Sequence, residues 1–230
     1  MSRLDEAIAT SWRSVQHEIN TACHHVRRKP SEVNVVAVTK YVNEERTCEA
    51  LDAGLLHIGE SRVQDAVPKW EALGERGVWH FIGHLQRNKV KAIVGKFSYL
   101  HSLDRFSLAK ELSKRCVEID EKMRCFIQVN ISREESKFGL SPQELPDFVE
   151  EVAQLPGIQL AGLMTMAPYV ENPEEVRPIF QHLKALQKKL QSDKLQLPHL
   201  SMGMSRDYHV AIEEGATFIR LGSVLVGGGK

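Results

Sequence analysis

Lys40 closes the run Val33-Asn34-Val35-Val36-Ala37-Val38-Thr39-Lys40. Strand alternation there puts Val36, Val38 and Lys40 on one face and Val35, Ala37 and Thr39 on the other. Both faces are largely apolar. A lysine ending such a strand either snorkels to the rim or sits partly desolvated, where the neutral amine becomes a nucleophile toward aldehydes. Two later stretches, PHLSMGMS at 198–205 and RLGS at 220–223, offer a grip for an anion. Gly203 and Gly222 let the backbone come close. Ser201, Ser205 and Ser223 supply hydroxyl and N–H groups, beside the N-terminus of a helix that begins near Ser205-Arg206-Asp207. Arg220 shares a strand face with Phe218. A guanidinium inside a fold needs acceptors, either a ligand or a carboxylate such as Glu60 or Asp207.

Other chemistry-bearing stretches are less specific. His80 and His84 are four apart, but a strand turning into a loop does not align them as a helix would, and spacing places no third ligand, so no metal site is expected. His84 remains a proton carrier or a buried hydrogen-bonding group. Gly59-Glu60-Ser61-Arg62 sets a carboxylate beside an arginine, and Leu163-Met164-Thr165-Met166 supplies polarizable packing suited to a planar ring or simply to a core.

These residues fall at the ends of short β-rich runs, and the runs define the fold. Eight are legible, at 33–38, 55–59, 78–83, 97–102, 124–130, 158–166, 198–203 and 217–222, with helical patterns between them. Helix starts are signalled by Asp104 before Leu108, Leu112 and Cys116, by Ser141-Pro142 with Glu144 as a capping box, and by Asn172-Pro173-Glu174-Glu175. Pro146 falls in a first turn. Repeated strand-then-helix units imply parallel strands with right-handed crossovers, and eight of them predict a single α/β domain, a (β/α)8 TIM-type barrel over 33–226. An open doubly wound sheet is the rival. Leu4, Ile8, Trp12, Val15, Ile19, Ala22 and Val26 mark an extra N-terminal helix within 1–29, whose terminal Arg27, Arg28 and Lys29 complement the helix dipole on a solvated face. In a barrel the chemistry gathers at the C-terminal ends of the strands, and the loops after strands seven and eight are where such folds most often hold phosphate.

Composition narrows the partners. Thirty acidic residues balance thirty basic ones, so the chain lacks the basic footprint of a nucleic-acid or membrane-surface binder. With 42% hydrophobic residues it can bury a core without metals or disulfides. Cys23, Cys48, Cys116 and Cys125 are scattered, so reduced, buried thiols are expected. The N-terminus carries acids instead of a basic start followed by an apolar run, and the longest weakly polar stretch, Leu160 to Val170, is too short to span a bilayer. A cytoplasmic protein is expected.

The motifs VAVTK at 36–40, GESRVQD at 59–65, WHFIGHLQRNKVK at 79–91, GLMTM at 162–166, SMGMSRD at 201–207 and RLGS at 220–223 resemble one family across nearly the whole chain. It is the YggS/PROSC group of pyridoxal phosphate homeostasis proteins, related in fold to the barrel half of alanine racemase. The resemblance implies that Lys40 forms a Schiff base with pyridoxal 5′-phosphate (PLP), that Ser201, Met202, Gly222 and Ser223 help hold the phosphate, and that Arg220 faces the pyridine nitrogen. It also implies a monomer. The chain departs from the family at Ser61, where Asn is usual, and after Ser223, where Val224-Leu225-Val226-Gly227 replaces the usual ending.

An arginine facing the ring nitrogen cannot accept its proton and weakens the ring as an electron sink. The expected function is therefore a cofactor carrier or regulator without turnover, with PLP-dependent apo-enzymes as recipients. The alternatives are an amino-acid racemase and a phosphosugar isomerase or aldolase. Racemisation on two bases needs a second acid/base and walls that exclude water, and the stretch after Gly222 leaves no room for a domain to supply them. The phosphosugar reading leaves the pyridine-facing arginine unexplained.

Overall fold

The computed structural model describes residues 3–132, 134 and 138–227, with side chains from residue 7 on. Eight parallel strands close into a barrel in sequence order: β1 (Asn34–Val38), β2 (His57–Glu60), β3 (Val78–Phe81), β4 (Tyr99–Leu103), β5 (Met123–Gln128), β6 (Ile158–Met164), β7 (His199–Met204) and β8 (Phe218–Leu221). All eight expected runs are strands. The rival open sheet is ruled out by the pairing of β1 with β8, which sets Val36 opposite Arg220 and leaves no free edge.

Helices α2 (Glu44–Asp52), α3 (Val63–Leu73), α4 (Val90–Ile93), α5 (Phe106–Val117), α6 (Leu145–Ala153), α7 (Arg177–Leu190) and α8 (Tyr208–Glu213) cover the outside. Outward side chains such as Trp79, Phe81, Leu100 and Ile219 pack under them in one large cluster. The interior is a separate, smaller cluster of Val36, Phe126, Ala161, Met164 and Phe218. Burying one such phenylalanine contributes roughly 1.5–3 kcal/mol. The two clusters follow from strand alternation with both faces covered, which is why the strands read as nearly continuous apolar runs.

Two strands depart from simple alternation. In β7, Ser201 pairs with Phe218 while Met204 pairs with Arg220, so three residues advance against two. Gly203, at φ 93°, takes up the extra residue in a bulge. A matching irregularity sits between Leu160 and Gly162 of β6, where a Cβ on Gly162 would fall 1.8 Å from the His199 carbonyl oxygen.

The N-terminal helix α1 (Arg3–His25) buries Ile8, Val15, Ile19, Ala22 and Cys23. Val26, expected on that stripe, is exposed because the helix stops at His25 and Arg27 turns into φ 57°. The basic cluster is not wholly solvated either. Arg28 is half-buried and donates to the carbonyls of Ile212 (2.6 Å) and Ala216 (2.9 Å), capping the end of α8 and fastening α1 to the barrel.

The start signals have mixed outcomes. Asn172 accepts from the Glu174 N–H at the head of the turn leading into α7, as expected. Ser141 and Glu144 make their reciprocal bonds in the turn before α6, whose first turn accommodates Pro146 because no N–H is needed there. Asp104 does not cap α5, since it is engaged with the Arg105 guanidinium at 2.6 Å. Three cysteines are buried as expected, but Cys48 is only half-buried. No helix among the described residues is long and apolar enough to cross a membrane.

Candidate functional site

A cavity of about 930 Å³ opens at the C-terminal ends of the strands. Lys40, Arg220, Gly222 and Ser223 all line it, joined by Ser205 and Arg206 from the loop after β7. Lys40 is half-buried, with its Nζ 4.8 Å from the centre of the Tyr41 ring. Tyr41 and Tyr169 stand at the rim, 70% and 73% exposed, so the mouth is open to solvent.

The seat of Lys40 is set from behind. Thr39 points outward between the barrel wall and α3, where its hydroxyl donates to Glu60 Oε1 at 2.6 Å. Lys69 of α3 donates to the same carboxylate oxygen and to the Thr39 carbonyl, each at 2.7 Å. Backbone and side chain of the residue before Lys40 are thus both anchored by one buried ion pair.

Arg220 forms the floor. It is 5% exposed and donates through Nη1 to Ser201 Oγ (2.6 Å) and through Nη2 to the Thr165 carbonyl (2.9 Å). Burial pushes its pKa down to about 10, and Asp207 opposes that shift through space, so the guanidinium stays charged at neutral pH. The carboxylate partners expected for it are engaged elsewhere: Glu60 with Thr39 and Lys69, Asp207 with the Met204 N–H at 2.6 Å. A guanidinium has five N–H donors, so a neutral hydroxyl and a carbonyl leave donors for whatever enters above.

The wall beside Lys40 and Arg220 is built from the last two loops. Gly222 N–H points to Ser205 Oγ at 3.4 Å, and the N–H groups of Leu225 and Val226 fold back onto the Gly222 carbonyl. Arg206 lies over the Tyr169 ring, 4.4 Å from its centre, and bonds its hydroxyl. Hydroxyls, a tight glycine backbone and a cation at this wall suit an anionic group.

Ser201 and Met202 do not line the cavity. Ser201 is wholly buried beneath Arg220, and Met202 packs outward into the helical layer. Both lie before the β7 bulge and follow plain alternation, Ser201 inward but a layer below the strand end and Met202 outward, while the bulge at Gly203 brings Met204, Ser205 and Arg206 to the cavity. Of the methionine pair, Met166 reaches the cavity while Met164 fills the barrel interior. His80 and His84 part company: His84 is exposed at the rim, stacked on Phe138 with ring centres 4.1 Å apart, and lies 3.9 Å from Asp104. His80 is sealed inside the barrel.

There His80 belongs to a group that strand patterning alone did not single out. His57, His80, His101 and His199 occupy inward positions of β2, β3, β4 and β7 around Phe218. Burial lowers the pKa of all four, those of His80 and His101 well below the ordinary 6.5. The signal was available, because four of the eight strands carry a histidine where an interior would choose an aliphatic side chain.

The alanine racemase N-terminal domain model matches residues 11–230. The pyridoxal phosphate homeostasis protein of Aquifex aeolicus is 44% identical over 215 residues, covering 93% of this chain and 94% of that one. The chain belongs to the pyridoxal phosphate homeostasis protein family. A second member, from Synechocystis, is 38% identical over 201 residues and covers 86% of this chain and 92% of its own. The Synechococcus elongatus protein PipY, solved with PLP bound, superposes with a TM-score of 0.84 at 32% identity, covering 96% of this chain and all of PipY. The family so established has the barrel architecture derived above from the strand pairing, and its members carry the name of homeostasis proteins instead of enzymes.

Proposed function

We propose that this protein binds PLP reversibly through Lys40 and serves intracellular PLP homeostasis by storing the cofactor, delivering it to apo-enzymes or regulating its supply, without turnover of its own. The observation that carries this reading is that Lys40 shares one cavity with Arg220, Gly222 and Ser223, which lie 180 residues or more further along the chain. Its donor set fits the cofactor: a primary amine, a charged donor on the floor, and an anion-suited wall of hydroxyls and glycine backbone. PLP bound to PipY, a relative of the same fold, supports it further.

Bound PLP would supply an aldehyde that condenses with the Lys40 amine, releasing water. The remaining work belongs to this chain. Ser205, Gly222 and Ser223, with Arg206 above them, hold the phosphate. Arg220 donates to the ring nitrogen and, having no lone pair, keeps it unprotonated. That weakens electron withdrawal by the ring and argues against racemisation, as does an open mouth that admits water.

The test is a PLP titration of the purified protein, followed by borohydride reduction and peptide mass analysis. We expect a yellow complex and an adduct on Lys40, with Lys40→Ala folded but colourless. A colourless wild type overturns PLP binding, and an adduct on another lysine overturns the assignment to Lys40. Robust racemisation of any amino acid in a panel overturns the carrier role.

A further inference from the structure

Below the cavity floor, side chains continue from Arg220 in single file. Arg220 Nη1 is 2.6 Å from Ser201 Oγ, and Ser201 Oγ is 2.8 Å from His101 Nδ1. His101 Nε2 lies 2.8 Å from His80 Nδ1, and His80 Nε2 lies 2.8 Å from His57 Nδ1. The members come from β8, β7, β4, β3 and β2, so the line crosses the barrel interior. It ends at half-buried His57, the first residue of β2, at the mouth opposite the cavity.

Only one direction of donation satisfies every atom. A guanidinium cannot accept, so Ser201 Oγ accepts from Arg220. Ser201 Oγ has two described partners, and its single proton is used only if it goes to His101 Nδ1. A neutral imidazole accepting at Nδ1 carries its proton on Nε2, and that atom faces His80 Nδ1. The same step repeats from His80 to His57. A charged imidazole within the line would set two donors face to face. Burial also disfavours charge, since His80 and His101 are both wholly buried.

We propose that Ser201, His101, His80 and His57 form a one-way hydrogen-bonded chain that positions Arg220, fixing the guanidinium so that its free donors present one point of the cavity floor. The line makes the site selective for a ring atom bearing a lone pair, because every member is committed to donating toward His57 and none can turn back to receive a proton from the ligand. Bonds aligned in this way polarise one another, so cutting the line at a distance loosens its anchored end. This rests on the reading that Arg220 meets the PLP ring nitrogen.

Nitrogen NMR of histidine- and arginine-labelled full-length protein, without ligand, tests the chain directly. We expect His57, His80 and His101 to be neutral and protonated on Nε2, and the Arg220 Nη signals to be separate, as in a held guanidinium. His101→Phe keeps ring volume but cuts the line. It should merge the Arg220 signals and weaken PLP binding about tenfold, the worth of about one net hydrogen bond. His101→Asn, whose carbonyl can take the Ser201 proton, should restore separate signals. Wild-type His101 protonated on Nδ1 overturns the chain, as does a folded His101→Phe with unchanged Arg220 signals. If His101→Phe does not fold, the wild-type tautomers still decide. Failure of wild type to bind PLP sinks the cofactor reading instead, while the tautomers measured without ligand continue to decide the chain.

Discussion

Thr39 donates its hydroxyl to Glu60 across 2.6 Å in a fully buried setting, and the Lys69 ammonium closes the same carboxylate from α3. The residue that precedes Lys40, the proposed PLP-binding amine, is therefore fixed by an ion pair whose two members do not line the cavity. Removing one partner leaves a buried charge unpaired, so Lys69→Met should destabilise the protein by about 3–5 kcal/mol. Chemical denaturation measures this. Glu60→Leu combined with Lys69→Met should recover most of the loss, and a double variant no better than Lys69→Met alone would show that the pair itself matters more than its compensation.

Gly83 explains how the β3 end is brought against β2. A Cβ there would lie 2.1 Å from the Ser61 carbonyl oxygen, and the Gly83 carbonyl already accepts from Ser102 at 2.5 Å. Gly83→Ala must push backbone from backbone on the cavity wall. We expect a stability loss of about 1–3 kcal/mol, as for overpacking elsewhere, together with weaker PLP binding. Full affinity in this variant, read by PLP titration, would show that the wall does not need this contact.

The barrel and its strand ends were legible in the sequence because both faces of a parallel barrel are covered, so its strands stand out as apolar runs closed by Gly, Ser and charged residues. Lys40, Arg220, Gly222 and Ser223 were legible for that reason. Ser201 and Met202 do not reach the cavity, and the residues of the β7 loop that do, Met204, Ser205 and Arg206, are brought there by a bulge at Gly203 of which pattern alone carries no mark. The histidines of the line from Ser201 to His57 could be seen one by one in the strands, but their connection could not. The members of the line are 23, 21 and 100 residues apart, and only barrel closure makes them neighbours.

The buried histidines predict acid lability in a definite window. His80 and His101 have folded pKa values well below the unfolded 6.5, so the unfolded chain binds more protons between those values and stability falls as pH drops below about 6.5. Two such groups give a slope of about 3 kcal/mol per pH unit near pH 5.5. Asp207 runs the other way, because burial raises its pKa above 3.8 and its contribution is lost as pH rises through the folded value. Denaturant midpoints at pH 7.5, 6 and 5 should fall steeply, ahead of carboxylate titration. Equal midpoints at the three values would mean that the histidines are not sealed as described.

The proposed phosphate grip can be separated from the proposed amine. Ser205 and Ser223 line the cavity from the loops after β7 and β8, whereas Lys40 comes from the end of β1, so on the proposed reading the two halves of PLP would be held by different crossovers. A hydroxyl donating to a charged group is worth about 1.5–3 kcal/mol, although backbone N–H groups at Gly222 and Ser223 survive substitution. Ser205→Ala with Ser223→Ala should therefore weaken PLP binding by about tenfold or more while leaving pyridoxal, which lacks the phosphate, bound as before. Equal losses for both ligands would place the anion elsewhere in the cavity, and no loss for either would assign the grip to backbone and Arg206 alone.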